Sequence, residues 1–222
     1  MAAPDVVYLV RPGDLNDELR WSLRSLANLP HRRVWIAGFQ PSWTCNVGRI
    51  KVPQTLGKWD NQQRTIRAVC DVAEVSERFV LFNDDFFVVE PLARLPVLHR
   101  GTLGAFSDRS AARGDEYGRR IRATLKYLGP DALSYDGLHV PMTFNRRRLA
   151  PIIDKSPPGV LFRSVYGNKA AVGGREHSDV KVSRNTSRYP SPFVSTSDGA
   201  FKRRPVGEWI RGMFPEPSPY ER

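Results

Sequence analysis

Cysteine is nearly absent. Cys45 and Cys70 are the only two in 222 residues, too few for a disulfide framework or for a zinc site built from this chain's thiols alone. Histidine is almost as scarce. His31, His99, His139 and His177 lie far apart, without metal-ligand spacing. No run approaches the roughly 18 apolar residues that a membrane span needs. The apolar run Val6 to Val10 ends at Arg11 and Pro12, so no signal peptide is expected and a cytoplasmic location is the default. Neither the glycine fingerprint of dinucleotide-binding folds nor the Gly-Lys-Ser/Thr phosphate loop occurs, which argues against dehydrogenases and ATPases of those types. Acidic residues are the minority: 34 Lys+Arg face 23 Asp+Glu, a net charge of +11. Such a balance suits nucleic acid, an anionic surface or a phosphorylated substrate. The basic residues form short separate clusters (Arg119-Arg120, Arg146 to Arg148, Lys202 to Arg204), without interleaved aromatics. Charge alone leaves the partner open.

What is present is an ordinary core composition. At 41% hydrophobic, with 18 Pro and 17 Gly, the chain suits one α/β domain with many loops. Residues 1–200 are expected to form that domain, and residues 201–222, rich in Pro and charge, a tail or docking segment. Asp5 to Val10 predicts a first strand. Asp14 or Asn16 then caps a helix over Leu15 to Ala27, with Leu15, Leu19, Leu23 and Leu26 as its buried stripe. Strands follow at Arg33 to Gly38 and Ile50 to Val52, then a helix to about Val75 and a strand at Phe79 to Phe82. The order β-α-β-β-α-β argues a mostly parallel sheet flanked by helices. The later chain is less regular. Thr102 to Phe106 is expected as a strand, Asp115 to Leu128 and Arg146 to Asp154 as helices, and Phe193 to Asp198 as a late strand.

The stretch Phe79 to Glu90 carries the chemistry. Apolar residues on both sides enclose Asn83-Asp84-Asp85, and buried ionised carboxylates are costly unless a cation compensates them. In parallel α/β sheets ligands gather beyond the carboxyl ends of the strands, where this pair falls. Oxygen ligands of this kind suit Mg²⁺ or Mn²⁺, with phosphates and water completing the shell. As a strand, the stretch places Asn83 and Asp85 on one face and Asp84 on the other, with Asp85 the first choice of metal ligand. The competing expectation is a turn at Asn-Asp-Asp between two strands. His139 is either a core histidine or a general base at an acceptor. Arg146 to Arg148 and Arg163 offer forks for phosphate or a solvated face. Asp198 either completes a carboxylate set or caps a turn.

Several segments together resemble the Stealth family of sugar-phosphate transferases, and the short glycosyltransferases of actinobacterial phages. They are Asp5-Val6-Val7-Tyr8, Asn16-Asp17-Glu18-Leu19-Arg20-Trp21-Ser22-Leu23-Arg24-Ser25-Leu26, Val34-Trp35-Ile36, Pro41-Ser42-Trp43 and Phe79 to Phe87. His139-Val140-Pro141, Phe162-Arg163-Ser164 and Ser197-Asp198 resemble the later motifs. The resemblance is dense over the first 90 residues and sparse after them. It implies a GT-A-like, Rossmann-like fold with an irregular C-terminal third. It also implies a nucleotide-diphosphate sugar as donor, Mn²⁺ or Mg²⁺ at Asp84 and Asp85, and donor contacts from Arg20, Arg24, Asn61, Asn83 and Arg163. Asp85, His139 and Asp198 would be the catalytic residues, and a protein or glycan, such as a phage virion protein, the acceptor. The family's first strand ordinarily ends in Trp-Val-Asp-Gly; here Arg11 and Pro12 stand in that place. Transfer of a whole sugar-1-phosphate therefore remains beside plain glycosyl transfer, and a metal-dependent nuclease or nucleic-acid-binding module is the more distant alternative.

Overall fold

The computed structural model describes residues 3–13, 15–110, 112–183 and 191–222. The chain divides into two compact units, one of Met1–Leu95, His139–Arg146 and Val180–Arg222, the other of Pro96–Leu138 and Arg147–Asp179. In chain order the elements begin with β1 (Asp5–Val10), α1 (Asp17–Ser25), β2 (Val34–Gly38), β3 (Gly48–Lys51) and α2 (Lys58–Asp71). Next come β4 (Arg78–Asn83), β5 (Phe86–Val88), β6 (Leu98–His99), α3 (Leu103–Arg109) and α4 (Glu116–Leu128). β7 (Met142–Asn145), α5 (Arg146–Lys155), α6 (Phe162–Lys169) and β8 (Arg175–Glu176) follow. The last are β9 (Lys181–Val182), β10 (Phe193–Thr196), α7 (Asp198–Arg203) and α8 (Pro205–Met213).

The first unit is built on a five-stranded sheet of order β3-β2-β1-β4-β7. β1 runs parallel to both β2 and β4, Val7 lying opposite Trp35 and Leu81, while β7 runs antiparallel to β4 with Met142 opposite Leu81. Val6, Val7, Tyr8 and Phe79 to Phe82 are all buried, as strands covered on both faces must be. The mostly parallel α/β architecture expected from the sequence is the one observed. The leucine stripe of α1 is shorter than expected: Leu19, Leu23 and Leu26 are buried, but Leu15 is 64% exposed and precedes the helix. Asn16 sits in the left-handed region at φ 52° and makes no side-chain cap bond; its amide instead donates to the Arg11 carbonyl, 3.2 Å away. The alternative cap, Asp14, lies outside the described residues.

The serines of α1 attach it to β5. Ser22 bonds the Phe86 carbonyl and the Tyr8 hydroxyl, and Ser25 accepts from the Val88 amide at 3.1 Å. β5 belongs to a separate three-stranded sheet, β5-β10-β9, with Phe87 opposite Val194 in antiparallel register. Phe87, Val194, Phe201, Val206 and Ile210 form one apolar cluster there, Phe87 and Phe201 stacking at 5.7 Å. Residues beyond 200 are thus packed into the first unit: α7 and α8 contribute to its core.

In the second unit Thr102 to Phe106 departs from the expected strand. Thr102 accepts from the Ala105 amide at 3.3 Å and starts α3, which buries Leu103 and Phe106 one turn apart. The helical spacing and the cap outweigh the strand propensity of this short run. Asp115 caps α4 at the Gly118 amide, 2.9 Å away. α6 is buried from Phe162 to Gly167. Its glycine is required by packing, because a Cβ there would fall 2.2 Å from the Tyr135 ring.

Candidate functional site at the carboxyl end of the parallel sheet

β1 and β4 are parallel neighbours, so both release their chains at one end of the sheet. β1 passes there into Arg11, and β4 into Asp84 and Asp85. These carboxylates form a two-residue turn between β4 and β5, so the expectation of one continuous strand is corrected. The chain leaves one sheet and enters another at this point, and the alternation that assigned Asn83 and Asp85 to one face does not apply. Asn83 is the last residue of β4, half-buried opposite Leu9.

The two aspartates have different surroundings. Asp85 is held: its Oδ2 accepts from the Lys181 ammonium at 2.5 Å and from the Ser195 hydroxyl at 3.0 Å. Its carbonyl also accepts from the Thr196 amide at 3.3 Å. Asp84 has no side-chain partner among the described residues apart from its own backbone. Burial raises its pKa to about 6, helped by the negative charges of Asp85 and Asp198 and opposed by Arg11. Residue 84 is half-buried, so its carboxyl group loses part of its hydration while some of its surface stays open.

Two further carboxylates approach. Glu18, in the first turn of α1, accepts a 2.5 Å hydrogen bond from Thr196. Its pKa rises to about 8, first through burial and then through Asp85, Asp198 and Asp84, which together outweigh the Thr196 bond. Asp198 opens α7, whose cap is Ser197, accepting from the Ala200 amide; the Asp198 charge acts on both Glu18 and Asp84. Lys58, the first residue of α2, is solvent-exposed. Its pKa is nonetheless lowered, by loss of hydration first and then by Arg11 and Lys181, against the pull of Asp85 and Asp84.

The other sequence candidates have these surroundings. Arg24 bonds both oxygens of Glu221, each at 2.9 Å, and Arg20 bonds one at 3.0 Å. Arg24 also donates to the carbonyls of Phe214 and Pro215, and Arg20 lies 4.3 Å above the Trp43 ring. The Glu221 carboxylate is 1% exposed. Their observed work is a clasp on the C-terminal segment. Asn61 bonds both the amide and the carbonyl of Leu56, which shapes the approach to α2. Arg163 is buried in α6 of the second unit. His139 precedes β7, and the antiparallel register places that approach at the sheet end where Asp84 and Asp85 emerge. It is a non-glycine residue at φ 53°, a conformation that costs about 1 kcal/mol or more.

Sequence reasoning missed Glu18, Lys58, Lys181, Ser195 and Thr196. Glu18 was legible only as a favourable charge at a helix start. Lys181 carries no local signal at all, being 96 positions from its partner.

Among the described residues no group of three or more His, Cys, Asp or Glu side chains is arranged to hold a metal ion. The donors present still fit a hard cation in part. Asp84 is a buried oxygen donor short of compensation, whereas Asp85 already has Lys181. A divalent ion here needs phosphate and water oxygens for most of its shell.

No protein-family model matches this chain, and no curated protein sequence does. Several solved structures are similar in part. An active-site mutant of LgtC aligns over 94% of each chain at 11% identity with a TM-score of 0.47. The glycosyltransferase GlyE of Streptococcus pneumoniae aligns over 97% of this chain at 11% identity and a TM-score of 0.35, and the match spans 50% of GlyE. Similarity this thin transfers neither activity nor residue roles.

Proposed function

We propose that this chain is a glycosyltransferase of GT-A type that takes a sugar from a nucleotide-diphosphate donor, assisted by Mn²⁺ or Mg²⁺. The observation that supports the reading is Asp84: a half-buried carboxylate without a side-chain hydrogen-bond partner among the described residues, at the carboxyl end of a parallel sheet, where ligands gather in such folds. Its pKa is raised by burial first and then by Asp85, against the pull of Arg11, and a ligand-borne cation would offset both causes. Asp84 is the main metal ligand in this reading and Asp85 the second, with Lys181 sharing its oxygen. The metal would stabilise the charge that gathers on the departing nucleoside diphosphate. Asp198, beside Asp84, is the first candidate to accept the acceptor's proton, and His139, at the same sheet end, the second. Asn83, the last residue of β4, would contact the donor in this reading. The acceptor in this reading is a protein or glycan.

The experiment is a donor screen with a readout of the released nucleotide. Incubation with radiolabelled nucleotide sugars and Mn²⁺ should release a nucleoside diphosphate, and Asp84→Asn should abolish that release. Release of the monophosphate would instead mean transfer of a whole sugar-1-phosphate. Absence of donor binding, with salt-sensitive DNA binding that survives Asp85→Ala, would replace the reading by a nucleic-acid module.

A further inference from the structure

Three cations surround the two aspartates, and the reading above gives them no task. Lys181 is fixed by Asp85 yet keeps 27% of its side chain exposed. Lys58 begins α2, and Arg11 follows β1 at the sheet end from which Asp84 and Asp85 emerge. They come from three separate elements, and each lies within electrostatic reach of the others or of the aspartates. Crowding of like charges is unfavourable; the Lys58 pKa is lowered by loss of hydration first and then by Arg11 and Lys181, against Asp85 and Asp84. An anion would relieve it.

The charges agree with that. Among the described residues, Arg11, Lys58 and Lys181 lie near Asp84 and Asp85. The protein's cations would add to the attraction of a bound metal for phosphate, against the repulsion of the carboxylates.

We propose that Lys181, Lys58 and Arg11 form a protein-borne seat for the diphosphate of the ligand. Lys181 has the central place because Asp85 holds it in position. The ammonium groups act as point charges on the phosphate oxygens. The inference rests on the preceding reading only in taking the ligand to contain a diphosphate.

Calorimetric titration with inorganic pyrophosphate in the presence of Mg²⁺ tests it without any sugar or base. Lys181→Met and Lys58→Gln should each weaken binding by about tenfold or more, the loss of one charge-assisted contact. Lys126→Gln, an exposed lysine of α4 in the second unit, removes the same net charge and should stay within twofold. Circular dichroism checks folding, and Lys58→Gln, at an exposed position, carries the test if Lys181→Met does not fold. The seat is refuted if wild-type protein does not bind pyrophosphate, if Lys181→Met folds and binds within twofold of wild type, or if Lys126→Gln loses as much as the site variants. Pyrophosphate binding that depends on these lysines, without turnover of any nucleotide sugar, would refute the transferase reading and leave the seat standing.

Discussion

Two aspartates mark opposite ends of the same pair of parallel strands, and their surroundings are reversed. Asp5 begins β1, and Asp84 follows β4. Asp5 is 0% exposed, yet every oxygen is matched. Arg32 bonds both at 2.8 and 2.9 Å, and the Trp35 indole and Ser76 amide each bond Oδ2 at 2.9 Å. Burial alone would raise its pKa, but these bonds outweigh it and hold the carboxyl below its usual range. Asp84 has burial without the bonds, and its pKa rises. A saturated buried carboxylate contributes to the fold; in the proposed reading the unsaturated one is completed by a ligand.

The largest effect expected from this contrast is on catalysis. Asp84→Asn should lower the transfer rate by about 10²–10³-fold while the melting temperature stays level or rises slightly. A thermal loss in this variant would make Asp84 another Asp5. The reverse substitution, Asp5→Asn, should lower the melting temperature by roughly 5–10 °C, because Arg32 and the buried Trp35 and Ser76 donors lose their acceptor. Its kcat should change less than about threefold per folded molecule.

A smaller effect decides between stability and donor binding for the arginines of α1. Arg24→Leu should lower the melting temperature by about 3–6 °C, since Glu221 would be left buried with fewer donors, and should leave donor affinity within threefold. Unchanged melting with lost donor binding would return Arg20 and Arg24 to the donor pocket, as the family resemblance implies.

The smallest effect concerns pH. Glu18 has a folded pKa raised from 4.5 to about 8, so its protonation stabilises the fold fully below about pH 4.5 and less as pH rises through 8. Glu18→Gln should therefore gain on wild type between pH 5 and pH 9, by about 2–4 °C in melting temperature. Asp5 has the opposite sign. Its contribution is present above its unfolded pKa of 3.8 and is lost as pH falls through its lower folded value. The penalty of Asp5→Asn should accordingly shrink below pH 4. A scan in which both variants shifted in the same direction would contradict the comparison.

The motif Arg20-Trp21-Ser22-Leu23-Arg24-Ser25 shows how far the sequence could be read. Its leucines announced a buried helix face, and they are buried. The serines look like ordinary polar helix residues, but they bond β5 some 60 positions away. The arginines look like a solvated face or a phosphate site, but they meet Glu221 about 200 positions away. Local spacing reports which face is buried; it cannot report what a polar side chain finds across the fold. Thr102 to Phe106 failed for a different reason, since five residues are too few to separate strand from helix without the cap.

By itself the sequence determined a parallel α/β sheet, the strand Asp5–Val10, and an aspartate pair at that sheet's carboxyl end, because hydrophobic run length and β-α order are local properties. No helix among the described residues is long and apolar enough to cross a membrane, consistent with the short apolar runs. Only the tertiary structure decided that the pair turns between two sheets, that Lys181 holds Asp85 and leaves Asp84 open, and that Glu18 and Asp198 join them. Charge compensation is settled by distances of a few ångströms between residues far apart in the chain, and those distances exist only after folding.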